Sequence, residues 1–128
     1  RLYPAVLLGL FLMVFDWAVE NSGAVLGFWN TYRSQLFVWN VPIEIMLLCF
    51  MGGTAWAMHL PKKLNKSFVY IDSLIFAFFG ALGEYLLIQN NLMSYSNGWT
   101  SAHAFLGYYL TWLILFGVWY TVVKKMKA

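Results

Sequence analysis

LYPAVLLGLFLMVFDWAVENSGAVL, residues 2–26, is the stretch that decides the fold. From Leu2 to Phe15 it carries no charged residue. Its length suits a hydrocarbon layer of roughly 30 Å, which about 20 helical residues cross. Three more segments of that kind follow. Residues 41–60 have Pro42 in the expected first turn, where a missing N–H costs nothing, and Pro61 as a stop. Residues 67–90 open on Ser67, the expected N-cap. Residues 101–123 close the set. The expectation is an all-α fold: one domain (1–128) of about four transmembrane helices at 2–26, 41–60, 67–90 and 101–123, joined by short loops.

Composition agrees. Of 128 residues 62% are hydrophobic and 10% charged, where a soluble domain carries about 25% charge. A soluble chain of this size has too little interior for so much apolar surface. The seven Trp and eight Tyr suit the interfaces of a bilayer. Phe28, Trp29, Tyr32, Trp39, Tyr95 and Trp99 form the expected aromatic belt.

The basic residues mark topology, not a nucleic-acid surface. Arg1, Lys62, Lys63, Lys66, Lys124, Lys125 and Lys127 fall on one side and Arg33 on the other. Both termini are therefore expected in the cytoplasm, in a membrane of the prokaryotic plasma-membrane kind. Residues 2–15 are not read as a signal peptide, because Asp16 and Glu20 follow directly with no clear small-residue cleavage site. Asn65-Lys66-Ser67 matches a glycosylation sequon on the cytoplasmic side and is expected to be unused. Cys49 is the single cysteine, so no internal disulfide forms. Its simplest role is that of a small buried hydrophobe.

The five acids carry the functional signal. Asp16 and Glu20 share one face of the first helix. Glu44 opens the second, Glu84 lies in the outer half of the third, and His103 opens the fourth at the same depth. An ionisable group in a membrane span costs several kcal/mol, of the order of 3, unless it is paired or wetted. Small residues accompany these groups: Ser73, Ala77 and Gly80 before Glu84, and Gly107 and Thr111 after His103. Gly23 and Gly27 form a G-x-x-x-G expected to admit a neighbouring helix. The inference is a polar pocket near the outer leaflet, rimmed by Asn21, Asn40, Asn90 and Asn91.

Each residue also has a plain structural reading. Glu44 suits a helix N-terminus, Glu20 and His103 suit interfacial water, and Asp16 and Glu84 suit hydrogen bonds between helices. Asp72 is expected to pair with Lys62, Lys63 or Lys66, and His59 to be interfacial. A metal site is disfavoured, because no H-x-x-x-H or E-x-x-H spacing occurs. Acid–base chemistry remains. A carboxylic acid in a low-dielectric pocket can protonate an alkene while neighbouring carboxylates stabilise the cation formed.

Glu20-x-x-Gly23-x-x-x-Gly27-x-Trp29-x-x-Tyr32, followed by Val41-Pro42-Ile43-Glu44, resembles the small membrane carotenoid enzymes, namely the lycopene cyclase domain and the related carotenoid hydratases. The resemblance covers residues 16–48. It implies cofactor-independent cyclisation or hydration of a polyene end group, with catalytic roles for Glu20 and Glu44, and for Asp16. Glu84 joins them by its depth. Trp29, Tyr32, Asn40 and His103 are the expected substrate-contacting residues. Two departures stand out. Ile45 occupies the place of the pattern's second Glu, and the family's unit has three helices where four are counted here. The expected partners are membrane lipids and an apolar isoprenoid. Two other readings compete: a non-catalytic subunit bound to other membrane subunits, and a transporter or channel component. Glu84…Tyr95…Trp99 faintly echoes Glu20…Trp29…Tyr32, with unequal spacing, as in a two-helix repeat.

Overall fold

The computed structural model describes residues 2–32, Ser34 and residues 36–127, with side chains to Val122. Arg1, Arg33 and the side chains of Lys124, Lys125 and Lys127, which enter the charge count, lie outside the described residues. The elements are α1 (Leu2–Val25), β1 (Trp29–Thr31), β2 (Phe37–Val38), β3 (Val41–Pro42), α2 (Ile43–His59), α3 (Lys66–Gln89), β4 (Met93–Tyr95) and α4 (Ser101–Lys127).

The four expected helices are present, with two corrections at their starts. Val41 and Pro42 belong to a strand, and Pro42 is the residue before α2 at φ −60°, ψ 140°. The N-cap of α3 is Asn65, not Ser67; its side chain accepts from the Phe68 N–H at 2.8 Å. Asn65 precedes the first helical residue, and its side chain satisfies the amide three residues on, as an N-cap does. Three helices, Leu2–Val25, Lys66–Gln89 and Ser101–Val122, are long and apolar enough to cross a membrane, while α2 is a shorter apolar helix of 17 residues.

The all-α expectation omits four short strands. β1 pairs antiparallel with β4, and β2 with β3. At two or three residues each, they are too short to show an alternating pattern. They form because the loops at one end must satisfy their backbone groups. Trp39, with φ 60°, turns β2 into β3. Asn21 anchors this hairpin: its amide donates to Trp17 O and its Oδ1 accepts from the Asn40 N–H, both at 2.9 Å.

The dense core lies at the opposite end. Ala5, Leu8 and Leu12 of α1 meet Trp56, Ala57 and Leu60 near the end of α2, and Leu115, Phe116 and Trp119 of α4. Within it, Asp72 is buried and accepts from Trp56 Nε1 and pairs with His59 Nε2, each at 2.9 Å. The expected lysine partners are replaced by an indole and an imidazole. Position 72 faces α2 across the bundle, where Trp56 and His59 are one turn apart and can both reach it.

Helices α1 and α2 approach most closely at Gly9 and Gly53. A Cβ at Gly53 would stand 3.0 Å from Gly9 Cα, and a Cβ at Gly9 would stand 2.5 Å from the Phe50 carbonyl. The G-x-x-x-G at Gly23 and Gly27 does not serve this purpose. Gly23 receives the Trp29 indole, and Gly27 leaves the helix at φ 80°. Gly9→Val is expected to destabilise the protein by about 1–3 kcal/mol, since backbone cannot move aside as a side chain can. Chemical unfolding in mixed micelles, followed by circular dichroism, measures it; Gly52→Val, where a Cβ meets nothing within 4 Å, is the control.

Candidate functional site

The pocket arises where the strand end of the bundle leaves the core. Helix α1 ends in a Schellman turn: Phe28 N–H bonds to Gly23 O at 2.9 Å and Gly27 N–H to Ala24 O at 3.1 Å. The turn folds β1 back over α1, so the Trp29 ring lies on Gly23 and its Nε1 donates to Glu20 O at 3.0 Å. Only a glycine at position 23 leaves room for that ring. Trp99 then packs against Trp29, centroids 5.1 Å apart, and against Phe28 at 5.2 Å.

Under this aromatic lid, Asp16, Glu20 and Glu84 line a pocket of about 90 Å³ together with Trp29, Trp99 and Tyr108. Val19 and Gly107, both exposed, line it too, with Thr111 and the buried Ala104.

The three acids have different surroundings. Glu84 is the most engaged: Tyr95 Oη donates to one carboxylate oxygen and Tyr108 Oη to the other. Tyr108 reaches it because Gly80, one turn before Glu84, makes room for the ring; a Cβ there would stand 2.8 Å from it. Burial and the neighbouring Glu84 carboxyl push the Tyr95 phenol above its ordinary range, so it remains a donor at any physiological pH. Asp16 has the half-buried Cys49 of α2 beside it. The Glu20 carboxyl faces Asp16 and Glu84 electrostatically, and among the described residues no side chain hydrogen-bonds it.

The expected site residues divide accordingly. Asp16, Glu20, Glu84 and Trp29 come together in the pocket. Glu44 is exposed and accepts from Ser34 Oγ at 2.7 Å. Tyr32 Oη shares a hydrogen bond with Ser94 Oγ at 2.7 Å. Asn40 is exposed on the β2–β3 turn and is held by its backbone. His103 stacks on Trp99 at 5.2 Å and bonds Thr100. These four lie around the pocket and do not line it. Of the expected asparagine rim, Asn90 caps α3 by donating to Leu86 O at 2.8 Å.

The reading from sequence omitted Tyr95 and Tyr108 as site residues. Tyr95 stood among the belt aromatics and gave no sign of its partner. Tyr108 sits in a Tyr108-Tyr109 pair, and only the packing of α4 on α3 selects which of the two meets Glu84. Trp99 Nε1, Trp112 Nε1 and Ser73 Oγ are buried with no hydrogen-bond partner among the described residues. No group of His, Cys, Asp and Glu among the described residues is arranged to hold a metal ion.

Comparison with protein-family models, with curated proteins and with solved structures gives no match to this chain.

Proposed function

We propose that the chain is an integral membrane protein whose acidic pocket performs acid–base chemistry on the end group of an apolar isoprenoid polyene. The membrane part rests on three long apolar helices and on the outward apolar surface. Leu47, Leu48 and Met51 of α2 and Phe78, Phe79 and Leu82 of α3 are all at least 40% exposed. In water such a belt would drive aggregation; in lipid it is the solvated face. The excess of lysines at Lys62, Lys63, Lys66 and the C-terminal end supports the reading that both termini are cytoplasmic.

One observation carries the catalytic reading: three carboxyl groups share a small pocket with two tryptophans. A carboxylic acid there donates its proton to a terminal C=C. The π pair forms the new C–H bond and leaves a tertiary carbocation. A neighbouring C=C attacks it, closing the ring by a C–C bond. A carboxylate removes a proton from the adjacent carbon, restoring the alkene and the acid. The sum is an isomerisation with no cofactor or co-reactant. Carboxylates and the faces of Trp29 and Trp99 favour the cation at each stage. A pocket of about 90 Å³ suits the reacting end, while the rest of the polyene lies along the α1–α4 seam.

The test is conversion of lycopene, an acyclic polyene, by the purified chain in liposomes. A blue shift of the absorption bands with unchanged mass is the expected result, since ring closure removes double bonds from conjugation or twists them. A mass increased by one water identifies a hydratase on the same site. Unchanged lycopene in folded protein sinks the assignment of this substrate class.

A further inference from the structure

Helices α1 and α3 correspond end to end: Leu2 matches Lys66 and Val25 matches Gln89, a shift of 64 residues in both cases. The same shift carries β1 onto β4. The turns between them match as well. Gly27 at φ 80° corresponds to Asn91 at φ 58°. The bonds Leu26 N–Ser22 O, Gly27 N–Ala24 O and Phe28 N–Gly23 O recur as Asn90 N–Leu86 O, Asn91 N–Ile88 O and Leu92 N–Leu87 O. Bonds between the halves follow the rule too: Tyr32 N donates to Leu92 O at 2.8 Å, and Ser96 N to Phe28 O at 2.9 Å. In the β1–β4 ladder the Trp29–Tyr95 and Thr31–Met93 pairs exchange places under the shift, and Asn30–Ser94 maps onto itself. That is the pattern of a two-fold axis through the Asn30–Ser94 pair. The earlier echo of Trp29 with Tyr95 was therefore one of neighbours across the ladder; the true counterpart of Tyr95 is Thr31.

Across the two 24-residue helices only Leu10/Leu74, Phe15/Phe79 and Glu20/Glu84 keep the same residue. Leu and Phe recur in any apolar span, whereas a glutamate there is costly. Glu20 and Glu84 are thus one position occurring twice, on opposite sides of one pocket. Their partners break the symmetry. Tyr95 and Tyr108 bond Glu84. The corresponding residues beside Glu20 are Thr31 and Glu44, and both are engaged elsewhere, Thr31 with Asn40 O and Glu44 with Ser34.

We infer that the chain is a doubled helix–strand–helix unit whose two equivalent glutamates have divided the work of the pocket: Glu84, anchored by two phenols, faces positive charge on the ligand, and Glu20 exchanges the proton. The inference rests on the function proposed for this pocket. The two phenols take one acceptor site on each Glu84 oxygen, leave the remaining lone pairs for a cationic donor, and hold the carboxylate in place before charge develops. Glu20, which no side-chain donor among the described residues reaches, keeps both oxygens available to the ligand. Tyr95 and Tyr108 are positioning residues that act through Glu84.

The test needs no turnover. N,N-dimethylgeranylamine, a cationic isoprenoid, and geraniol, its neutral counterpart, are titrated into the full chain in phosphatidylcholine nanodiscs. Quenching of tryptophan fluorescence reads the binding, since Trp29 and Trp99 line the pocket. Glu84→Gln is expected to weaken the amine about 10-fold or more, the scale of one lost charge-assisted hydrogen bond. Tyr108→Phe is expected to weaken it about 3-fold, and Glu20→Gln less than about 2-fold. Geraniol affinity stays the same in all three, which also shows that the pocket remains folded. Glu84→Asp, which keeps the charge, retains amine binding. Equal weakening by Glu20→Gln and Glu84→Gln, no weakening by Glu84→Gln, or the reverse order overturns the division. Because amine binding is separate from lycopene conversion, an inert polyene with Glu84-dependent amine binding refutes the substrate class and leaves the division standing.

Discussion

Glu20→Gln is expected to lower polyene turnover by roughly 10²–10⁴-fold, the usual worth of a positioned general acid or base. The amide keeps the size of the side chain and removes the exchangeable proton. Since no side chain among the described residues hydrogen-bonds Glu20, packing should be undisturbed, and substrate affinity should change little. Turnover in liposomes, with thermal unfolding of the same preparation, separates the two effects. Glu20→Asp pulls the carboxyl back by one methylene. A displacement on the order of 1 Å costs about 10²-fold when geometry matters, so this variant should be slow rather than dead. Activity retained in both variants would remove Glu20 from the reaction and shift the proton to Asp16, its neighbour one turn away.

The largest structural effect is expected at the other end of the bundle. Trp56 is 1% exposed and is the largest fully buried side chain. Its ring packs against Trp112 at 5.1 Å and Phe116 at 4.8 Å, and its N–H bonds Asp72. Trp56→Ala should cost about 3–5 kcal/mol, the range for emptying an aromatic site in a packed core. Trp56→Phe keeps most of the ring and withdraws only the donor from the buried Asp72 carboxyl, so about 1–3 kcal/mol is expected. Unfolding in mixed micelles gives both values. A loss in Trp56→Phe as large as in Trp56→Ala would mean that the Asp72 network, not packing, holds this end together. A negligible loss in both would show that the core can collapse around the vacancy.

The site and the core thus occupy opposite ends for a physical reason. Close packing of Leu, Ala and Trp at one end holds the helices together. At the other end, near the loops and short strands, side chains of α1, α3 and α4 enclose the pocket of about 90 Å³. Gly23, Gly80 and Gly9 serve three different contacts: an indole, a phenol and a helix backbone.

The sequence by itself determined the four helices and pointed to Asp16, Glu20 and Glu84, which line one pocket. Apolar run length and the spacing of acids along a helix are local properties, and a chain with 10% charge has few other ways to fold. Glu44 was assigned on the same grounds, but depth along a helix does not say which way the helix is rotated. Only the tertiary structure turned Glu44 to Ser34 and away from the pocket. It also decided that Asp72 meets Trp56 and His59, and that Tyr108, not Tyr109, reaches Glu84. The 64-residue symmetry was hidden for a related reason. It resides in backbone hydrogen bonds and turn dihedrals, which many side chains satisfy equally, while lipid-facing positions in the two halves need only be apolar. The two helices share three residues under this shift, and the glutamate is the one whose cost in an apolar helix demands a role.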